Sequence, residues 1–310
     1  MFKKIIKLTL LLITVVSLAA CGVTHRSSQK DKGLSVVTSF YPMYAMTKEV
    51  SGDLNQIKMI RSTNGIHSFE PSVNDVSAIY DADLFIYHSH TLESWARDLH
   101  PNLKKSKVAV FEASKSISLR RVQGLEDVPV SKGIDPATLY DPHTWTDPRL
   151  VGQEAQAIAK KLSELDPKNK DYYEKNAAKF VKKANALEET YQKKFATCRQ
   201  KTFVTQHTAF SYLAHRFGLK QLGISGISNE QEPSPRQLSE IHRFVKEYKV
   251  KTIFAEDNVS PKTAQTIAKA TGAKVKTLSP LEAVPQNEKS YLDNLELNMN
   301  KLYQQLKKEN

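Results

Sequence analysis

Short apolar, β-branched runs recur along the chain at residues 35–40, 58–62, 84–88 and 107–111. A second series follows at 202–205, 221–224, 252–255 and 274–278. Between them lie stretches with helical spacing of apolar positions, at 42–50, 73–80, 149–165, 235–248, 261–271 and 289–306. Strands alternating with helices predict parallel sheets in an α/β fold, and two sets of four predict two (β/α)4-like lobes.

The segment 166–197 has a different rhythm. Tyr173, Ala177, Phe180, Ala184, Leu187 and Tyr191 follow one another in steps of four and three, which is one face of a single long amphipathic helix. Pro167 suits its first turn, with Asp166 before it as a cap. Some thirty residues at 1.5 Å each span roughly 45 Å, long enough to run along both lobes. The predicted organisation is therefore a first lobe at 34–165, a linking helix at 166–197 and a second lobe at 198–310. Such a strut favours small tilts over wide hinge closure.

The chain starts with a basic Met1-Phe2-Lys3-Lys4-Ile5-Ile6-Lys7 stretch and an apolar run over residues 8–20. This is the pattern of a secretory signal peptide over residues 1–20, and it is shorter than the ~20 apolar residues of a spanning helix. Leu18-Ala19-Ala20-Cys21-Gly22 resembles the lipobox of bacterial lipoproteins, which implies lipidation of Cys21 and a membrane held through the lipid anchor. Residues 21–33 then read as a polar tether.

Cys198 is the only other cysteine, so a lipidated Cys21 leaves no disulfide, and zinc sites built on two or four cysteines are excluded. The net charge of +12 falls to +9 without Lys3, Lys4 and Lys7. An exported chain with its Lys and Arg scattered over helices is expected to meet anionic lipid or wall polymer, not nucleic acid.

Three histidines stand just past strands: His67 in Gly65-Ile66-His67-Ser68-Phe69-Glu70-Pro71, His143 in Asp141-Pro142-His143-Thr144-Trp145, and His207 after Phe203-Val204-Thr205-Gln206. Ligands of open α/β sheets bind beyond the carboxyl ends of the strands, where all three fall. The last strand leads to Ser279-Pro280-Leu281-Glu282, which brings a carboxylate to the same edge. Three imidazoles and a carboxylate suit a tetrahedral zinc ion. Three histidines with an open position would instead suit a zinc hydrolase, but no His-Glu-x-x-His pair or other acid–base signature accompanies them.

With Ser39-Phe40-Tyr41-Pro42, Asp83-Leu84, Leu92-Glu93-Ser94-Trp95, Glu256-Asp257, Gly272-Ala273-Lys274-Val275 and Ser279-Pro280-Leu281, these motifs cover about residues 34–306. The chain resembles the zinc- or manganese-capturing substrate-binding lipoproteins of metal ABC transporters (cluster A-I). Within them it is most similar to the laminin-binding zinc lipoproteins of Gram-positive cocci. The resemblance implies a non-enzymatic, monomeric protein on the extracellular face of the cell membrane, capturing one Zn2+ as cargo for an ABC permease. It also implies contact with host laminin and with histidine-triad surface proteins. His67 and His143 fall on the family's first two ligands. His207 stands where manganese-binding members resemble one another in using glutamate, which favours zinc; a manganese transport lipoprotein is the alternative. Glu282 is the best match for the fourth ligand.

The loop at 113–140 holds no histidine, unlike the metal-gathering loop of many zinc-binding members. His88 and His90 are candidates for outer partners of the metal site or for a transient site, and Glu70 and Asp141 for partners of the ligating imidazoles. Glu256 and Asp257 read as helix caps or interlobe polar contacts. His25, His100, His215 and His242 read as structural or solvent-facing.

Overall fold

The computed structural model describes residues 33–61, 65–122, 127, 139–228, 233–257 and 259–309. The signal peptide, Cys21, His25 and nearly all of the tether lie outside the described residues, as does much of the 113–140 loop. Among the described residues no helix is long and apolar enough to cross a membrane.

Among the described residues eight strands form two four-stranded parallel sheets. The first comprises β1 (Ser35–Thr38), β2 (Gln56–Met59), β3 (Leu84–Tyr87) and β4 (Ala109–Glu112), in the order β2-β1-β3-β4. The second repeats this order as β6-β5-β7-β8, from β5 (Thr202–Thr205), β6 (Lys220–Gly223), β7 (Thr252–Ala255) and β8 (Lys274–Thr277). The central strands β3, β5 and β7 are buried at every position, because helices cover both faces of a parallel sheet. The edge strand β2 alternates between exposed and half-buried residues.

Nine α-helices accompany the strands among the described residues: α1 (Tyr41–Ser51), α2 (Val73–Tyr80), α3 (Ser94–Leu103), α4 (Pro148–Leu165), α5 (Lys170–Ala196), α6 (Ser211–Arg216), α7 (Pro235–Glu247), α8 (Lys262–Thr271) and α9 (Tyr291–Lys308). Reciprocal capping boxes start three of them, Ser72 with Asp75, Ser234 with Gln237 and Ser290 with Asp293. Each such cap contributes about 1 kcal/mol by satisfying backbone N–H groups that the first turn leaves open.

The linking helix differs from expectation at its start. Pro167 opens a short 3-10 turn, Pro167–Asn169, and the α-helix begins only at Lys170. Asp166 caps nothing with its side chain; its carboxylate instead accepts from the Tyr173 hydroxyl at 2.7 Å and from Asn169 Nδ2 at 2.7 Å. The expected apolar face is otherwise present: Tyr173, Ala177, Phe180, Ala184 and Tyr191 are buried, and Leu187 is half-buried. The face packs against α4 and α1, and one continuous apolar core reaches from Val36 and Trp145 through this helix to Phe203 and Leu306. Fully buried aliphatic and aromatic side chains of this kind each contribute about 1.5–3 kcal/mol. Both lobes and the helix thus share a single core.

Candidate metal centre

Each of the four expected donors is placed by a different device. His67 follows β2 after Gly65, whose φ of 93° is open to glycine and strained for other residues. Buried Ile66 anchors the turn in the core. His143 precedes a 3-10 turn, Thr144–Thr146, that leads into α4, where Asp147 caps Arg149 N at 2.8 Å and Leu150 N at 3.2 Å. His207 stands two residues past β5. Glu282 follows Leu281, a buried non-glycine residue at φ 57°. That left-handed conformation costs on the order of 1 kcal/mol, and here it turns the carboxylate inward. Asn298 of α9 pins the approach to this turn, its Nδ2 donating to Ser279 O at 2.6 Å.

These devices converge. One ligand atom from each of His67, His143, His207 and Glu282 lies within 4.8 Å of the others, in the only such group among the described residues. His143 Nε2 is 3.3 Å from the Nε2 atoms of both His67 and His207. Glu282 Oε1 lies 3.2 Å from His207 Nε2 and 3.6 Å from those of His67 and His143. A tetrahedral zinc ion with ligands at 2.0–2.1 Å has edges of about 3.3 Å, so the donor spacing fits that ion in size as well as in chemistry.

Two imidazoles are oriented from behind. Asp141 Oδ1 accepts from His143 Nδ1 at 2.7 Å, and Glu256 Oε1 accepts from His207 Nδ1. Each carboxylate fixes the proton on Nδ1 and leaves Nε2 facing the common point. Asp141 therefore has the orienting role expected of it. Glu256 corrects the expectation of a cap or interlobe contact, because parallel pairing puts the exits of β5 and β7 side by side. Glu70 and Asp257 are exposed and orient none of the imidazoles.

The charges of the metal-free centre follow from this arrangement. Burial pushes His143 and His207 down, but neighbouring carboxylates outweigh it. His143 is raised by Asp141 and Glu282, and His207 is raised to about 10 by Glu282 and Glu256. For His67 burial wins over Glu282 and its pKa is lowered. Burial pushes Glu282 up, yet the surrounding imidazoles hold its carboxyl well below the usual range. The metal-free site is thus a carboxylate ringed by three imidazoles, two with raised and one with lowered proton affinity, and an arriving cation competes with protons most strongly at His207.

A cavity of about 310 Å³ lies beside the cluster, apolar along Phe40, Tyr41, Ile66 and Pro280 and acidic at Glu256 and Glu282. His88 stays outside the cluster, fully buried with its ring edge-on to Trp145. His90 contacts the Tyr87 hydroxyl at 3.0 Å. His100, His215 and His242 lie on α3, α6 and α7, outside the group of four donors.

Two parallel-sheet lobes sharing a core, with three imidazoles and a carboxylate gathered at one point, define a candidate site for a metal ion between lobes. Residues 36–305 match the ZnuA family, described as zinc-uptake complex component A, periplasmic, and the chain belongs to that family. It is 36% identical over 313 residues to the high-affinity zinc uptake system protein ZnuA of Bacillus subtilis, covering 97% of this chain and 98% of that one. It is 35% identical to the zinc-binding lipoprotein AdcA of Streptococcus pneumoniae, matching over 96% of its own length but 60% of that protein. The solved laminin-binding protein Lmb of Streptococcus agalactiae, described as bifunctional with adhesin and metal transporting activity, is 70% identical. It superposes with a TM-score of 0.82 over 89% of this chain and 100% of that one. Membership makes the chain a transport component that binds a solute, not an enzyme.

Proposed function

We propose that the protein captures one Zn2+ outside the cell with His67, His143, His207 and Glu282 and delivers it to an ABC permease. The convergence of these four donors from four separated segments carries the reading. Three neutral imidazoles with a single carboxylate favour zinc over manganese, which prefers oxygen donors. The family and its zinc-named relatives support the same ion. The test is metal analysis of a soluble form beginning after Cys21, with zinc and manganese in competition. One retained zinc per chain is expected, and tighter retention of manganese overturns the assignment.

In this reading residues 1–20 direct export, lipidated Cys21 holds the monomer at the extracellular face of the membrane, and residues 22–33 give it reach. The lobes at 34–165 and 198–310 then close on the ion from either end of the 166–197 linker. Metabolic labelling with a fatty acid, lost in Cys21→Ala, tests the anchor. A second activity is adhesion to host laminin, supported by the description of the Streptococcus agalactiae relative. Laminin binding measured on zinc-loaded and zinc-free protein tests it, and no binding by either form removes it. Histidine-triad surface proteins are the proposed donors of zinc. Transfer from such a donor faster than from free ion at equal concentration is the expected result.

A further inference from the structure

We propose that His88, Thr144 and Glu154 form a buried positioning network that holds His143 in its metal-binding pose. The proposal rests on His143 being a zinc ligand. Asp141 aims the His143 ring, and the turn Thr144–Thr146 follows directly on the His143 backbone.

Thr144 is where the turn is gripped. Its hydroxyl donates to Glu154 Oε1 of α4 at 2.5 Å and lies 2.6 Å from His88 Nε2. His88 Nε2 is itself 3.2 Å from the same Glu154 oxygen. His88 follows directly on β3, so the three side chains tie the exit of a central strand, the turn and the first long helix together. All three are fully buried. The other Glu154 oxygen is buried with no hydrogen-bond partner, so the carboxylate's hold on the protein runs through Oε1.

Burying an imidazole and a carboxylate costs free energy that close-packed apolar side chains would not. Packing alone therefore does not account for such a pair at the turn beside a ligand; directional bonds that fix the turn do. Trp145 extends the grip. Its ring lies 5.0 Å from both the His88 and His143 rings, and its Nε1 donates at 2.9 Å to the carbonyl of Pro280, two residues before Glu282. Fixing this turn thus steadies two of the four donors.

The experiment compares Thr144→Val, Thr144→Ser and Glu154→Gln with the parent by chelator competition, zinc dissociation rate, and melting temperature with and without zinc. Thr144→Val keeps the shape and removes both bonds, so zinc affinity is expected to fall about tenfold, as for outer-sphere partners in general. Thr144→Ser restores it. A purely structural role would lower the melting temperature of both forms equally and leave the zinc-induced rise unchanged. A positioning role shrinks that rise. Parental affinity and a parental zinc-induced rise in both Thr144→Val and Glu154→Gln overturn the proposal. If Thr144→Val fails to fold, Glu154→Gln decides alone. Failure of the zinc reading is distinguishable, since His143→Ala would then bind zinc like the parent.

Discussion

The imidazoles of His143 and His207 meet that of His67 at one point, but under different constraints. The first two are fully buried and each is held from behind by a buried carboxylate, Asp141 or Glu256. His67 comes from the exit of an edge strand, keeps 9% of its side chain exposed, and has no such carboxylate behind it among the described residues. The difference separates two tasks that a capture site must combine. Two clamped imidazoles define where the ion sits but also retain protons. The third, with its pKa lowered by burial, is free of a proton at neutral pH and open to an arriving cation.

Removing a clamped ligand should have the largest effect. We predict that His143→Ala and His207→Ala each lower zinc affinity by more than about 100-fold, beyond the range seen for outer partners. A fluorescent chelator competition measures this. His67→Ala should cost less, because water can reach the vacated position. Equal or greater loss in His67→Ala would break the comparison outright.

Next come the carboxylates behind the rings. Asp141→Asn and Glu256→Gln should each weaken zinc binding by about tenfold. In metal-free Glu256→Gln, an NMR titration should also find the His207 pKa shifted down from about 10. An unmoved titration would sharpen the account by assigning the shift to Glu282 alone.

The smallest effects concern pH. His207 has a raised pKa in the metal-free fold, so its protonated contacts stabilise that form fully below the ordinary value of 6.5. This stability is lost as pH rises through about 10. The melting temperature of metal-free protein should therefore fall across that window, while zinc affinity rises because fewer protons compete. At neutral pH, calorimetric enthalpies should vary with buffer ionisation as zinc displaces protons. Buffer-independent enthalpies would show that the clamped rings are already neutral.

Much of this was legible in the chain. The runs at 202–205 and 252–255 are strands end to end, and the 73–80 helix begins and ends where its pattern does. Asp141 was readable because it lies two residues from His143 and meets it within one turn. Glu256 was not, being 49 positions from His207. Its signal is the strand register: Thr205 pairs with Phe254, and two further steps along both chains bring His207 to Glu256. One sequence does not say which strands are neighbours. His88 was only partly readable for a related reason, since its proximity to His90 in sequence also suggested a transient site shared by the two. The chain instead turns it into the core against Trp145.

The chain alone sets the elements and the kinds of donor, because helix and strand periods are local and side-chain chemistry is intrinsic. It also placed each donor at the end of a strand or the start of a helix. Folding brings four such ends within 4.8 Å, sets Glu256 behind His207, and lets His88 grip the turn beside His143. Those relations join residues tens of positions apart. They are fixed by strand order, register and a shared core, and no local pattern contains them.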